Sequence, residues 1–391
     1  MKTNFKIIIC CATLIMLLVC CKQEYIPPAN EENANLLVVE GFLNSGQGPT
    51  TIRLSRSVGL TDTTQKKFER GAKVNVEGED GSSFALAGNN NGEYSISQLP
   101  LLNNIKYRLH IKTINGKEYA SDFVPIKITP PIDSITWQSE SEGLRLYVNT
   151  HDPQNATKYY QWEFEETWEY HSAYYSTVKY IRDNTNRVTA LVYKYPDHHV
   201  DTTIYKCWKT LSSTSIIIGS SENLTTDIIY LPFHFIEQGS EKLSVLYSIN
   251  LKQYAASHEK YLFLQKMKKN TEQTGSLFDA QPSQLSGNIH CLTDPNEAVI
   301  GYVEITQEQT QRIFIFNSQL IYWRYDPGCA QFEIDNQLDS IAKYGADFTP
   351  TVPTEFDLTF PFGIRKFNVA SDVKCVDCTI GRTNQKPPFW P

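Results

Sequence analysis

Residues 36–129 alternate apolar and polar side chains in short runs that are separated by Asp-Gly and Asn-Gly pairs. Lys73-Val74-Asn75-Val76 is one such run, and Asp80-Gly81 separates it from the next. Alternation with a period of two is typical of strands that bury one face, and these glycine pairs favour hairpin turns. About seven such strands in about 95 residues predict an immunoglobulin-like antiparallel sandwich.

A larger β domain is predicted for residues 130–391. Two prolines interrupt the strand pattern at Thr129-Pro130-Pro131, which indicates the domain boundary. Strand patterns then resume, in a chain whose aromatic content of 12% suits sheets. The expected fold is therefore mostly β, with the N-terminal sandwich followed by this larger domain.

One α-helix is expected in the second domain, from about residue 251 to 269. Asn250 is positioned to cap its start, and Gly275 follows its end. Its apolar side recurs at helical spacing: Tyr254, Ala255, His258, Tyr261 and Leu262. Residues 337–343 are predicted to form a short helical turn.

Residues 160–170 form the most two-sided strand pattern in the chain. Aromatic residues lie on one face, interrupted by Glu166, and the other face carries Glu163, Glu165 and Glu169. Carboxylates two residues apart on a strand are about 7 Å from each other, a separation that suits an inverting glycosidase. The row is also what a solvated sheet face looks like, and this second interpretation is favoured. These glutamates are the weak candidates for a ligand site.

Nine cysteines are present, and four of them fall within the first 21 residues. The other five are the disulfide candidates: Cys207, Cys291, Cys329, Cys375 and Cys378. An odd number in an oxidising compartment predicts two disulfides and a spare thiol, with the pairing left open. Cys375 and Cys378 have CxxC spacing, but a zinc site requires a second ligand pair at similar spacing. Structural pairing is therefore favoured over metal or redox chemistry.

No motif in the chain specifies a catalytic centre. His199 and Asp201 share a strand face and would offer two ligands to a metal, but a third would have to come from elsewhere. Neither a GxSxG elbow, an HExxH helix nor a phosphate-binding loop occurs. The formal net charge is −7 and no basic run is present, which argues against nucleic acid as a partner. We expect no cofactor, no metal and, on balance, no enzymatic activity.

The N-terminus predicts export and lipid attachment. Lys2 and Lys6 precede an apolar run, residues 7–19, that is too short to span a bilayer as a stable helix. Leu18-Val19-Cys20-Cys21 resembles the lipobox of bacterial lipoproteins. Cys21 best fits as the acylated first residue, with Cys20 as the alternative and an uncleaved anchor as a third interpretation. Residues 1–20 would then be a signal peptide, and residues 21–35 a lipidated tether.

A series of short motifs, in order along nearly the whole mature chain, resembles the Bacteroidota lipoprotein family built on domain of unknown function 4249. The motifs are Leu37-Val38-Val39-Glu40-Gly41, Gly71-Ala72-Lys73-Val74, Gly92-Glu93-Tyr94, Pro130-Pro131-Ile132-Asp133-Ser134-Ile135, Asp152-Pro153, Tyr159-Tyr160-Gln161-Trp162, Glu166-Thr167, Gly275-Ser276-Leu277-Phe278, Gln281-Pro282-Ser283, Gly287-Asn288-Ile289, Gly301-Tyr302, Cys375-Val376-Asp377-Cys378 and Lys386-Pro387-Pro388-Phe389-Trp390.

The resemblance implies an outer-membrane lipoprotein that is commonly encoded beside TonB-dependent receptors. Lys22-Gln23-Glu24 is similar to the charged signal that sends such lipoproteins to the cell surface, with the periplasmic face as the alternative. We therefore expect a protein held in the bilayer by N-terminal acyl chains such as palmitate. It would act as a non-enzymatic accessory or ligand-capture subunit of a TonB-dependent receptor system. The ligand, a small molecule or peptide, stays open, and the alternatives are a surface hydrolase of glycan or peptide and an adhesion or envelope-structural module.

Overall fold

A computed structural model describes residues 35–58, 67–272, 287–357 and 363–391. It confirms a mostly β protein with sandwich-like packing. The predicted signal peptide and the tether up to residue 34, with Cys20 and Cys21, lie outside the described residues. In the described ranges no helix is long and apolar enough to cross a membrane.

The first ten strands form the N-terminal sandwich. They are β1 Leu37–Gly41, β2 Leu43–Asn44, β3 Thr50–Arg56, β4 Lys67–Phe68, β5 Lys73–Gly78, β6 Ser83–Gly88, β7 Glu93–Ile96, β8 Tyr107–Lys112, β9 Glu118–Ser121 and β10 Ile126–Lys127. Alternation governs their packing: Val74 and Val76 of β5 are buried while Lys73 points outward. β5 and β6 pair antiparallel across Asp80-Gly81, where Gly81 has a φ of 83° that an L side chain rarely adopts.

The remaining elements follow in chain order. They are β11 Ile132–Glu140, β12 Gly143–His151, β13 Tyr159–His171, β14 Val178–Arg182, β15 Val188–Tyr193, β16 Lys206–Ser212, β17 Ile217–Ser220, β18 Ile228–Glu237, β19 Leu246–Ala256, α1 His258–Glu272, β20 Ile289–Cys291, β21 Val299–Gly301, β22 Ile305–Thr306, β23 Gln309–Phe316, β24 Gln331–Asp335, α2 Leu338–Tyr344, β25 Thr349–Asp357 and β26 Gly363–Ala370.

Two sheets form the centre of the larger part. The three-stranded sheet β11–β12–β18 faces the sheet β16–β13–β19–β23, which β17 extends at β13. Their shared core joins Leu144, Leu146 and Val148 of β12 to Trp162 and Phe164 of β13. The aromatic side of the β13 pattern is therefore the inner face of a sandwich. A smaller sheet, β24–β26–β25, packs with α2 and the β14–β15 hairpin.

The predicted helix begins seven residues too early. Residues 246–256 form β19, which pairs with β13 and β23, and α1 starts at His258. Ser257, not Asn250, precedes the helix, and its Oγ accepts a hydrogen bond from the N–H of Lys260 at 3.0 Å. β19 is buried on both faces towards its end, so its apolar residues do not alternate and periodicity alone does not separate it from a helix. The predicted turn at 337–343 is the short helix α2.

The segment from 289 to 306 returns to the N-terminal sandwich. β20 pairs with β9, β21 runs parallel to β1, and β22 lies between β10 and β2. Ile289, Val299 and Ile305 are buried in the N-terminal core. That core therefore contains residues outside the predicted range 36–129.

The proline segment lies between the two sandwiches and is hydrogen-bonded to both. Thr129 Oγ1 lies 2.8 Å from Thr306 Oγ1 and accepts the N–H of Ala255 at 3.0 Å. The side-chain amide of Gln253 donates to the Pro130 carbonyl at 2.8 Å. These buried bonds position the two sandwiches relative to each other.

Candidate functional site

Strand β13 presents its three candidate glutamates on one face, as its alternation predicts. Each lies opposite residues of neighbouring strands: Glu163 faces Lys252, Glu165 faces Asn250, and Glu169 is opposite Leu246. Their environments differ along the strand. Glu163 is exposed, Glu165 is half-buried and Glu169 is buried. The prediction of a uniformly solvated row is therefore wrong at Glu169.

Glu169 is covered by the C-terminal end of the chain. Its carboxylate lies 2.7 Å from Nε2 of His171, 2.9 Å from Nζ of Lys206 and 2.9 Å from Nε1 of Trp390. Burial alone would raise the pKa of Glu169, but these partners hold it at about 2. Trp390 itself packs against Trp208. Glu169 thus holds the tail on the sheet and is closed to a ligand.

Glu165 remains at the surface beside an arginine. Nη2 of Arg312 on β23 lies 3.6 Å from its carboxylate, and the guanidinium lies 3.6 Å from the ring centroid of Phe389. Burial lowers the pKa of Arg312. Glu163 and Glu165 are therefore accessible to solvent on this face of β13, whereas Glu169 is buried.

Glu163 lies at the end of the strand that meets the N-terminal sandwich. It lines a small cavity of about 90 Å³ together with Tyr254, Lys260 and Glu304. Glu304 is buried and accepts the N–H of Ser257 at 2.7 Å, while Nζ of Lys260 donates to the Tyr302 carbonyl at 2.9 Å. Burial raises the pKa of Glu304 and lowers that of Lys260. Both shifts follow from the desolvation of charged groups at the junction.

A larger cleft, of about 670 Å³, opens beside this junction. It is bounded by Lys127 and Pro130 from the linking segment, by Asp152 and Tyr159 from the sandwich, and by His258 at the start of α1. The rings of Tyr159 and His258 stack with centroids 5.1 Å apart. Asp152 is fixed in place, since its carboxylate accepts the N–H groups of residues 154, 156 and 157. The volume and the mixture of ring and polar surfaces suit a small molecule or a short peptide.

Glu166 lies on the aromatic side of β13 and is a buried charge outside the row of candidate glutamates. Its carboxylate accepts from Lys242 Nζ at 2.6 Å and from the Tyr247 hydroxyl at 3.0 Å, and lies 3.1 Å from His234 Nε2. Burial alone would raise the pKa of Glu166, yet the hydrogen bonds from His234 and Lys242 keep it below its usual value. A glutamate on the apolar side of an alternating strand was the available signal that such partners exist.

Asp227 is a second buried carboxylate with internal partners. The hydroxyls of Tyr160 and Ser221 donate to it, and the N–H of Asp152 donates at 2.7 Å. Because Asp152 borders the large cleft, Asp227 supports one of its walls from within. Neither Asp227 nor Glu166 presents a carboxylate to solvent.

His199 and Asp201 do not act together. His199 Nδ1 lies 2.5 Å from Asp197, whereas Asp201 accepts from Thr203 and pairs with Lys194 at 3.4 Å. Across the ranges that the structure describes, no group of three histidine, cysteine or acidic side chains is arranged to hold a metal ion.

Among the five cysteines that the structure describes, two disulfides form, as predicted, and they settle the open pairing. Cys207 is bonded to Cys378, and Cys329 to Cys375, which leaves Cys291 as a buried thiol. The two cysteines of the CxxC motif thus have different partners. The first bond attaches the tail to β16, next to Glu169 on β13. The CxxC motif therefore contributes to two separate structural disulfides.

Comparison with known proteins identifies a family. No curated protein matches the chain. Among solved structures, a Bacteroides uniformis protein described as carbohydrate-binding is 12% identical, with 57% of this chain and 90% of that chain covered at a TM-score of 0.15. Chitinase ChiA74 from Bacillus thuringiensis is 10% identical, with 52% and 28% covered at a TM-score of 0.15. The family described as domain of unknown function (DUF4249) matches residues 22–312, so this chain belongs to the DUF4249 family.

Proposed function

We propose that this protein is a lipoprotein of the outer membrane, anchored through Cys21, that captures a ligand at the cell surface as a non-enzymatic partner of a TonB-dependent receptor. The anchor is supported by the cationic, apolar and cysteine-bearing order of residues 1–21. The receptor partnership is supported by the order of motifs in which the chain resembles the DUF4249 family, a resemblance that implies genes placed beside those of TonB-dependent receptors. A lipid tether would keep the protein in the plane of the receptor and raise its effective concentration there.

The observation that carries ligand capture is the cleft of about 670 Å³ at the junction of the two sandwiches. Its walls come from the linking segment, from β13 and from the start of α1, so a ligand there would contact elements that set the relative position of the sandwiches. Tyr159 and His258 would provide ring surfaces, and Lys127 a cationic edge.

The arrangement of carboxylates favours capture over hydrolysis. An acid–base pair needs two carboxylates that both reach the substrate. Glu169 is sealed under Trp390, and Glu165 lies beside Arg312. The buried carboxylates Glu166 and Asp227 are held by internal donors.

The test is affinity purification from native outer membranes in mild detergent, with identification of the co-purifying proteins. We expect a TonB-dependent receptor to co-purify with the wild-type protein. Cys21→Ser should abolish fatty-acid labelling and release the protein from membranes, whereas Cys20→Ser should leave it labelled. Labelling of the Cys21→Ser variant, or recovery of the wild type without any receptor, would contradict the proposal.

A further inference from the structure

The outer face of the three-stranded sheet is a surface that the cleft does not include. Side chains of β11, β12 and β18 alternate, and Leu144, Leu146 and Val148 point into the core. The intervening residues point away from it. We define the tyrosine face by six of them: Gln138, Arg145, Tyr147, Asn149, Tyr230 and Phe235.

Aromatic rings lie at the centre of the tyrosine face. Tyr147 and Tyr230 stack with centroids 4.7 Å apart and planes within 4° of parallel. Tyr230 is 51% exposed although Tyr147 covers one side of its ring, so the ring offers its other side and its edge to solvent. Rigid, half-covered aromatic rings provide contact area for a ligand at low entropic cost.

Polar groups of fixed orientation surround the rings. The amide of Gln138 donates to the Tyr230 hydroxyl at 3.3 Å, and that of Asn149 donates to Ser134 Oγ at 3.1 Å. Each amide group carries two donor hydrogens and an acceptor oxygen. Within the described residues each of these amides makes that one side-chain hydrogen bond, which leaves capacity for a ligand rich in hydroxyl groups.

Charge on the tyrosine face is balanced. Arg145 is its one ionised member, and Nε and Nη2 of its guanidinium bind both carboxylate oxygens of Glu140 at 2.7 and 2.9 Å. The guanidinium also lies 4.7 Å from the Phe235 ring centroid, in a cation–π contact. A neutral face attracts neither an anionic nor a cationic partner by long-range forces, so its complement is an uncharged ligand.

The six residues of the tyrosine face cover a small area. Three adjacent strands span about 10 Å, and the distance from residue 145 to 149 along β12 is about 13 Å. The resulting area, about 130 Å², is far below the roughly 800 Å² per partner of a stable protein–protein interface. A small ligand, or a short segment of a polymer, fits this area.

We propose that the tyrosine face binds a neutral saccharide. The ring of Tyr230 would cover the apolar C–H side of a sugar ring, while the Gln138 and Asn149 amides and the Arg145 guanidinium bind its hydroxyl groups. This site is separate from the junction cleft, and it does not depend on the receptor partnership.

The experiment is native affinity electrophoresis of the full mature protein in a detergent that lacks a sugar headgroup. The gels contain a mixed-linkage β-glucan, a galactomannan, an arabinoxylan or amylopectin, with polygalacturonate as an acidic polymer. We expect at least one neutral polymer to retard the protein. Tyr230→Ala should weaken that retardation about tenfold, and Gln138→Ala should weaken it less.

Tyr175→Ala is the matched control, because Tyr175 is a 47% exposed tyrosine stacked on Tyr205 at 4.0 Å outside this face. It should bind within about twofold of the wild type. If Tyr230→Ala fails to fold, Tyr230→Phe and Gln138→Ala test the proposal instead. We then expect Tyr230→Phe to retain polymer binding and Gln138→Ala to bind more weakly. No retardation by any neutral polymer, retardation by polygalacturonate alone, or full binding by Tyr230→Ala would each overturn the proposal. Co-purification of a receptor is a separate measurement. Failure of saccharide binding at the tyrosine face can therefore be told apart from failure of the receptor partnership.

Discussion

The indole Nε1 of Trp390, the penultimate residue, donates to a carboxylate oxygen of Glu169 on β13 at 2.9 Å. The two residues are 221 positions apart in the chain. This bond, the packing of Trp390 on Trp208 and the Cys207–Cys378 disulfide attach the C-terminal tail to the central sheet.

Trp390→Ala should lower the free energy of unfolding by about 3–5 kcal/mol, because it removes a buried indole and its hydrogen bond. Trp390→Phe should cost about 1–2 kcal/mol, since the ring remains and Glu169 keeps His171 and Lys206. Urea unfolding measures both. The matched control is Phe389→Ala, whose exposed ring makes a cation–π contact with Arg312, and about 1 kcal/mol is expected. An equal effect of Trp390→Ala and Phe389→Ala would contradict the role of the buried indole.

Because of Glu169, the free energy of unfolding should fall as the pH is lowered through the acid range. Its pKa in the folded protein is about 2, below the value of about 4.3 in an unfolded chain. The unfolded chain therefore takes up the proton first, and the stabilisation present at neutral pH is lost as pH falls from about 5 to 2. Urea unfolding of the wild type and of Glu169→Gln measures this effect. We expect the wild type to have the higher free energy of unfolding at pH 7, and the difference between the two proteins to narrow steadily below pH 5. A gap that is constant over this interval would show that the carboxylate is not held ionised.

Peptide mapping under non-reducing conditions should recover Cys207 linked to Cys378 and Cys329 linked to Cys375. Cys291 is buried, so its alkylation should be slow in the native protein and rapid in denaturant. A fragment in which Cys375 and Cys378 are bonded to each other would contradict the structure.

Glu165→Gln should leave folding intact, with a change in unfolding free energy within about 1 kcal/mol, because its pairing with Arg312 is at the surface and loose. Turnover of labelled glycan or peptide polymers should be the same for the wild type, Glu165→Gln and Glu163→Gln. If the wild type degrades a polymer and Glu165→Gln does not, the surface-hydrolase alternative is correct.

Gly287→Ala should disturb the return of the chain to the N-terminal sandwich. A Cβ at Gly287 would overlap the carbonyl oxygen of Gly301, so the backbone must shift, and we expect the free energy of unfolding to fall by about 2–3 kcal/mol, measured by thermal unfolding. Gly46→Ala is the control, because its nearest neighbour is the end of the Asn44 side chain at 3.3 Å. Equal unfolding temperatures for the two variants would show that β21 has room to move.

Local pattern predicted the elements whose partners are near in sequence. Alternation around Asp80-Gly81 gives the β5–β6 hairpin, because the turn and both strands lie in one short segment. The faces of β13 followed from the same rule. Residues 251–256 match a helical pattern although they form a strand, because a strand buried on both sides lacks the alternation that identifies strands.

Composition and spacing determined that this chain forms β-sandwiches, that the five cysteines after residue 200 form two disulfides, and that Glu163, Glu165 and Glu169 share a face. The tertiary structure alone decided which cysteines pair, that residues 289–306 complete the first sandwich, and that Glu169 is sealed by Trp390 while Glu165 stays open. The physical reason is distance along the chain. Side-chain alternation records which way a residue points from its own strand, whereas burial and pairing depend on what a distant segment of the chain places against it.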